Sequence, residues 1–165
     1  MRVYTTVETE IGLLHIVAQD RKLSAIYFGK EDFLENEKGN VVIEKQEDDL
    51  LVSCVTQLKE YFSGNREKFE LPIERVGTDF QIAVWNKLEE IPFGTTHSYQ
   101  DIAISIGRPK AVRAVGQANK ANKFPIIVPC HRVIGKNHKL TGYAGTKIDI
   151  KEKLLRHEGV VSTKV

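Results

Sequence analysis

The sequence at residues 125–133 reads Pro125-Ile126-Ile127-Val128-Pro129-Cys130-His131-Arg132-Val133. Its first four residues are apolar and predict a short buried strand, so the Cys130 thiol would lie where that strand ends. There it would stand beside an imidazole and a guanidinium, which lower a cysteine's pKa below its free value of about 8.5. Because the thiolate is the nucleophilic form, Cys130 is a candidate nucleophile. A buried structural cysteine is the alternative, since most free cysteines serve packing.

Length and composition indicate a globular protein. The chain has 165 residues, of which 41% are hydrophobic and 28% charged, enough for one ordinary domain or two small ones. We find no apolar run of membrane-spanning length and no signal-peptide pattern at the N-terminus, and we expect a cytoplasmic protein. Its two cysteines, Cys54 and Cys130, fit a reducing compartment. The histidines and cysteines show no zinc-type spacing, so we expect no metal.

Charge is distributed unevenly along the chain. Residues 1–75 carry 10 Lys or Arg against 15 Asp or Glu, whereas residues 76–165 carry 14 against 7. Within residues 98–147 nine basic residues face a single acidic one, Asp101. A basic stretch inside a folded half suggests a polyanionic partner, and nucleic acid is the obvious candidate.

The N-terminal half predicts strands followed by a helix. Residues 3–17 alternate loosely and, with residues 23–28, predict antiparallel strands. Residues 29–48 are polar and predict a loop with some local helix. Residues 48–62 have apolar side chains at helical spacing, and Cys54 lies on that apolar stripe as a core residue. Residues 63–77 are typical of a linker, so we expect a domain of residues 1–76 followed by one of residues 77–165.

The C-terminal half predicts three helices in succession. One begins at Thr78 and ends before Pro92-Phe93-Gly94. The second follows Ser98, a suitable N-cap, and the third spans residues 110–120. A tight turn, Gly107-Arg108-Pro109, joins the last two, which favours a helix-turn-helix. The third helix is rich in Ala and Gly, which fits close packing in a core as well as docking on DNA.

Taken together, these blocks resemble the O6-alkylguanine–DNA alkyltransferases, a family of direct-reversal DNA repair proteins. The resemblance is strong over residues 78–159 and weak in the N-terminal half. The matching blocks are Phe80-Gln81-Ile82-Ala83-Val84-Trp85, Ile91-Pro92-Phe93-Gly94, Ser98-Tyr99, Arg113-Ala114-Val115-Gly116, Asn122, Pro129-Cys130-His131-Arg132-Val133, Gly142-Tyr143 and Leu154-Leu155-Arg156-His157-Glu158-Gly159.

The resemblance implies a fold and an activity. The fold would be α+β: a small N-terminal α/β domain with an antiparallel sheet, then a mostly helical domain with a winged helix-turn-helix. The activity would be one irreversible transfer of an alkyl group from O6-alkylguanine, and from O4-alkylthymine, in duplex DNA to Cys130. The protein would act as a monomer, without a cofactor and away from membranes, on double-stranded DNA containing alkylated guanine.

The resemblance also implies a set of catalytic residues. Cys130 would be the nucleophile and His131 its base, acting through a bridging water because neighbours on a strand point to opposite faces. Glu158 would orient His131, Tyr99 would assist departure of the guanine, and Asn122 would brace the cysteine loop. Without the resemblance, Glu158 would be a surface carboxylate, Tyr99 a surface hydroxyl and Asn122 a turn residue.

DNA-binding residues follow from the same resemblance. Arg113 would enter the base stack after the lesion has flipped out, a step that costs a few kcal/mol. Ala114 and Ala118 would let the helix sit in the minor groove. Basic residues are candidates for phosphate contacts, although for each of them an ordinary solvated surface charge is the favoured interpretation. These are Arg108, Lys110, Lys120, Lys123 and Lys136.

The remaining implied residues line the guanine pocket. Val133 and Cys130 would offer backbone carbonyls to the guanine amine, and Tyr143 would form a wall of the pocket. Ala144 stands where some members of the family carry Ser, which bears on substrate range and inhibitor sensitivity. Its backbone N–H would still donate to the lesion oxygen.

Other classes of protein fit the sequence less well. Alkyltransferase-like proteins bind the lesion but lack the cysteine, and a regulatory relative carries an additional zinc-binding methyl-phosphotriester domain. A simple helix-turn-helix regulator would leave Cys130, His131 and Glu158 unexplained. A thiol protease or amidase would turn over on amides and gives no reason for the basic, Ala-rich helix.

Overall fold

A sheet-based unit precedes a helical unit along the chain. The computed structural model describes residues 1–135 and 148–160. The chain divides into unit 1, Met1–Glu74, and unit 2, Arg75–Val165. Unit 1 contains a four-stranded sheet, whereas unit 2 is mainly helical. Among the described residues, no helix combines the length and the apolar character that crossing a membrane requires.

Three antiparallel strands and one parallel strand form the sheet of unit 1. β1 (Arg2–Thr9), β2 (Gly12–Gln19) and β3 (Lys22–Phe28) run antiparallel, as their alternation predicted. β4 (Val42–Glu44) pairs in parallel with β1, which gives the order β3-β2-β1-β4. The expected antiparallel sheet is therefore mixed. The fourth strand was not predicted, because three residues are too few to show an alternating pattern.

Two helices complete unit 1. α1 (Lys30–Asn36) packs on β2 and β3, and α2 (Asp49–Phe62) packs on β1 and β2. Their coverage explains why residues 14–18 of β2 are all buried. α2 begins where predicted, with the Asp48 carboxylate accepting the Leu51 N–H at 3.1 Å. Cys54 is fully buried on its inner face, as predicted.

The segment expected to be a free linker is partly attached to the sheet. Gln57 on α2 holds the backbone of Glu70 through two hydrogen bonds of 3.1 and 2.9 Å. Leu23 then exchanges backbone hydrogen bonds with Pro72 and Glu74, so the chain pairs with β3 beside Ile73. The sequence could not show this attachment, since it joins residues about fifty positions apart.

Unit 2 is built from short helices that begin at defined caps. Its described helices are α3 (Asp79–Glu89), α4 (Tyr99–Ser105), α5 (Val112–Lys120) and α6 (Ile148–His157). Thr78 and Gln81 form a reciprocal capping box at the start of α3, and Ser98 and Asp101 form another at the start of α4. Both helices therefore begin at the predicted residues.

The chain before and through the cysteine is not the strand that the apolar run predicted. Residues 125–128 form turns, and Ile126 has a positive φ of 77°. Cys130–Arg132 form one turn of 3₁₀ helix, and the short strand β6 (Val133–Ile134) begins only after it. β6 pairs in parallel with β5 (His97–Ser98). Local hydrogen bonds favour turns over the strand that the apolar pattern predicted. The Val128 N–H donates to the Phe124 carbonyl, and the Cys130 N–H donates to the Val128 carbonyl.

Candidate active site around Cys130

Cys130 is buried in a loop that an asparagine holds in shape. The cysteine is 2% exposed. Asn122 Nδ2 donates to Cys130 Sγ at 3.2 Å and to the Val128 carbonyl at 2.9 Å. Its Oδ1 accepts the Phe124 N–H at 3.0 Å. Asn122 therefore joins the loop backbone to the sulfur, which is the arrangement expected for a brace.

A second asparagine, which the sequence did not single out, supports the same loop. Asn119 Nδ2 donates to the Cys130 carbonyl at 3.4 Å, and the side chain is buried. It follows Val115 by four residues and Ala118 by one, on the buried face of α5. A polar amide on an apolar helical stripe was the available signal, since a buried amide requires hydrogen-bond partners.

His131 and Glu158 form a buried pair, as expected. The distance from His131 Nε2 to Glu158 Oε2 is 2.7 Å, and both side chains are 0% exposed. Burial lowers the pKa of His131 and outweighs the opposing effect of Glu158, so the neutral imidazole is favoured. Burial alone would raise the pKa of Glu158, but hydrogen bonds from His131 and Arg132 hold it well below its usual value.

Arg132 points to Glu158. Its Nε donates to Glu158 Oε1 at 2.8 Å and its Nη2 to Oε2 at 3.0 Å. Its Nη1 donates to the Ile91 carbonyl at 2.7 Å. From the sequence, Arg132 was expected to act as a positive charge beside the thiol. In the structure, its guanidinium instead binds the carboxylate of Glu158, twenty-six residues away.

Lys151 is a buried residue beside the candidate site that the sequence reasoning missed. Its side chain is fully buried, and Nζ donates to the Val133 carbonyl at 2.5 Å. Burial lowers its pKa to about 8, and a negative charge on Cys130 would act in the opposite direction. A lysine on the same helical face as Leu154 and Leu155 was a usable signal, because lysine is rarely fully buried.

Two predicted pocket residues border this lysine. Tyr99, the first residue of α4, has its ring centre 5.9 Å from Lys151 Nζ. The Val133 carbonyl, expected to bind the guanine amine, already accepts from Lys151. A carbonyl oxygen has two lone pairs, so one further donor can still bind there.

Of the DNA-binding residues predicted on α5, two lie on its exposed face and one is buried. Arg113 and Ala114 are exposed, together with Gln117 and Lys120. Ala118 is 2% exposed and its carbonyl accepts the Trp85 indole N–H at 2.8 Å. The prediction that the Ala118 side chain lies on the docking face is therefore wrong, because that side chain packs inside unit 2. The other exposed basic residues of this region are Arg108, Lys110 and Lys123.

Part of the predicted site lies outside the described residues, namely Lys136, Tyr143 and Ala144. Within residues 1–135 and 148–160, no group of three or more His, Cys, Asp or Glu side chains is placed to hold a metal ion. The described site consists of a buried thiol, an asparagine brace, a His–Glu pair and a buried lysine, all on unit 2. A thiol with these neighbours is a candidate nucleophile.

Family models match both units. Residues 2–75 match the ribonuclease-like domain of 6-O-methylguanine DNA methyltransferase, and residues 79–160 match its DNA-binding domain. The chain therefore belongs to the 6-O-methylguanine DNA methyltransferase family.

Individual relatives are similar in sequence to this chain over nearly its whole length. The chain is 49% identical over 160 residues to the constitutive methylated-DNA–protein-cysteine methyltransferase of Bacillus subtilis strain 168, covering 97% of each chain. It is 44% identical to the Methanosarcina barkeri enzyme of the same name, covering 94% of this chain and 96% of that one.

Solved structures show the same fold. The Mycobacterium tuberculosis O6-methylguanine methyltransferase has a TM-score of 0.86 and 39% identity, covering 96% of this chain and 93% of that one. A Mycobacterium tuberculosis OGT in complex with DNA has a TM-score of 0.84 and 40% identity, covering 94% and 92%.

Proposed function

We propose that this protein repairs duplex DNA by moving the methyl group of O6-methylguanine onto the sulfur of Cys130, once per molecule. The observation that carries the proposal is the Asn122 amide bound to Cys130 Sγ beside a buried His131–Glu158 pair. These residues activate a sulfur, and the carbon–sulfur bond of the thioether that forms is stable to hydrolysis. The alkylated protein is therefore an end product.

Transfer needs a thiolate, since displacement at a saturated carbon proceeds best with a soft anionic nucleophile. His131, held neutral by burial, accepts the thiol proton through an intervening water, and Glu158 stabilises the resulting imidazolium. The Asn122 N–H and the Lys151 ammonium stabilise the sulfur anion, the first by hydrogen bonding and the second by charge.

In the transfer step, a bond forms between Cys130 Sγ and the methyl carbon while the bond from that carbon to the guanine oxygen breaks. The electron pair of the broken bond passes to the guanine, which takes a proton from the Tyr99 hydroxyl. The proton that His131 removed from the thiol returns to Tyr99 through solvent, so both side chains end in their starting states. The half-buried position of Tyr99 at the start of α4 suits this role. Guanine leaves restored, and Cys130 remains as a thioether.

DNA binding is assigned to α4, the Gly107 turn and α5, acting as a helix-turn-helix within residues 77–165, with residues 1–76 as support. The exposed face of α5 carries Arg113 and Ala114. The small Ala114 side chain allows the helix to approach a minor groove closely, and the basic Arg113 can enter that groove. Arg113 fills the space left by the flipped guanine. The protein works in the cytoplasm as a monomer.

Peptide mass spectrometry tests the proposal most directly. After incubation with a duplex containing one O6-methylguanine, we expect one methyl group on Cys130, restored guanine and no uptake beyond one equivalent. Cys130→Ala should take up none, whereas Cys54→Ala should behave like the parent because Cys54 lies in the core of unit 1. Binding of the lesion without any mass gain would make the protein a lesion sensor instead.

A further inference from the structure

Among the described residues, Glu158 receives hydrogen bonds from His131, Arg132 and the Gly94 backbone. His131 lies 2.7 Å from one carboxylate oxygen, Arg132 binds both oxygens, and the Gly94 N–H reaches Oε1 at 3.3 Å. The side chains of His131 and Glu158 are 0% exposed and that of Arg132 is 6% exposed. Solvent therefore screens little of the interaction among these charges.

The charges in this cluster balance only while His131 is neutral. Arg132 and Glu158 cancel, so a proton on His131 would add a net positive charge to a buried site. Among the described residues, Glu158 raises the pKa of His131, whereas Arg132 and the Lys151 ammonium lower it. A thiolate at Cys130 would raise the pKa of Lys151, so its charge would be stabilised by the Lys151 ammonium.

Arg132 is held independently of Glu158. Its Nη1 donates to the Ile91 carbonyl at 2.7 Å, and its guanidinium lies 5.8 Å from the ring centre of Phe93. The turn after α3 therefore fixes the guanidinium, and the guanidinium in turn fixes the carboxylate. A planar fork holding both carboxylate oxygens is a geometry that a lysine cannot reproduce.

We propose that Arg132 is a positioning residue that keeps His131 available as a neutral base by neutralising Glu158. A carboxylate without this cation would favour the imidazolium, and an imidazolium cannot accept the Cys130 proton. The link to reaction rate rests on the proposed function, but the effect of Arg132 on the protonation of His131 rests on the charge geometry alone.

The first test compares Arg132→Met with the parent. In the variant, the His131–Glu158 pair carries a net negative charge, so it takes up a proton at higher pH. The single-turnover rate of methyl transfer should be measured between about pH 5 and 9. As the pH is lowered, the variant should lose the neutral, active form of His131 at a higher pH than the parent does. We expect the acid limb of the profile to move upward by about one pH unit or more.

Two further variants separate charge from structure. Arg132→Lys retains the positive charge and should keep the acid limb near that of the parent, even if the fork geometry slows transfer. Arg156→Met is the matched control, since Arg156 is exposed and pairs with Glu152 on the same helix at 2.9 Å. A uniform loss of rate at every pH in Arg132→Met, or an equal shift in Arg132→Lys, would overturn the proposal.

A second measurement does not require methyl transfer. NMR titration of the His131 ring in a Cys130→Ala background, with and without Arg132→Met, should show a higher pKa without the arginine. A parent protein that transfers no methyl would refute the proposed function while this titration still decides the role of Arg132. If Arg132→Met does not fold, Arg132→Gln, which is neutral but retains N–H donors, is read in the same way.

Discussion

Asn122 connects the shape of the cysteine loop to the sulfur through one side chain. It bonds Cys130 Sγ, the Val128 carbonyl and the Phe124 N–H. Asn122→Ala should slow methyl transfer by about 10- to 100-fold, because a hydrogen bond to a charged group contributes about 1.5–3 kcal/mol. Asn36→Ala, which removes an exposed amide on α1, should leave the rate unchanged. Equal single-turnover rates for the two variants would contradict the brace.

Lys151 links the same site to stability. Its pKa is about 8 in the folded protein and about 10.4 when unfolded. Between these values the unfolded chain binds a proton that the folded chain lacks, so Lys151 contributes an increase of about 3 kcal/mol in the free energy of unfolding as pH rises through the window. Burial also raises the pKa of the Cys54 thiol to about 12, which lowers stability at the upper end of the same window in every variant. Denaturant unfolding at several pH values should therefore show the stability of the parent, and of the exposed control Lys153→Met, increasing with pH relative to that of Lys151→Met.

The two capping boxes allow a matched comparison at the scale of the helix. Thr78→Ala and Ser98→Ala each remove an N-cap, and each should lower the free energy of unfolding by about 1 kcal/mol. Only Ser98→Ala should also slow methyl transfer, since α4 begins with Tyr99. Denaturant melts and single-turnover rates measure the two effects, and a slow Thr78→Ala protein of normal stability would count against this assignment.

α5 carries the prediction about DNA. Arg113→Ala should slow transfer from a methylated duplex by about tenfold or more, since under the proposed function the base is flipped at a cost of a few kcal/mol and Arg113 would fill the gap. Transfer from a free O6-alkylguanine base needs no flipping and should be unaffected. Measuring both substrates on one preparation separates DNA docking from chemistry, and an equal loss on both would place Arg113 in the chemistry instead.

Elements that depend on neighbouring residues were predictable from the sequence. α2 and the starts of α3 and α4 follow from apolar spacing and cap residues. The loop before Cys130 was not, because its apolar run is typical of a strand while a positive φ at Ile126 and the Asn122 brace bend it into turns.

Contacts in the site between residues far apart in the sequence could not be predicted from local patterns. Lys151 and Arg132 find their partners 18, 26 and 41 residues away, and no local pattern encodes such contacts. His131 and Glu158 are also 27 residues apart, and only the family resemblance joined them in advance.

At the scale of the whole molecule, the chemistry and the basic charge fall in the same unit. Every described residue of the candidate site belongs to unit 2, the part of the chain with an excess of Lys and Arg, whereas unit 1 is acidic. A polyanion attracted by the basic residues is therefore drawn to the unit that holds Cys130.

Reaction of Cys130 should change the stability of the whole protein. The sulfur is buried, and a thioether is a weaker acceptor for the Asn122 N–H than a thiolate. Adding a methyl group to a packed site costs about 1–3 kcal/mol, so the methylated protein should melt several degrees below the parent. Cys130→Ala, treated with the same duplex and freed from it, should melt at an unchanged temperature. Complete methylation with no fall in Tm would mean that the site accommodates the methyl group without loss of stability, contrary to this prediction.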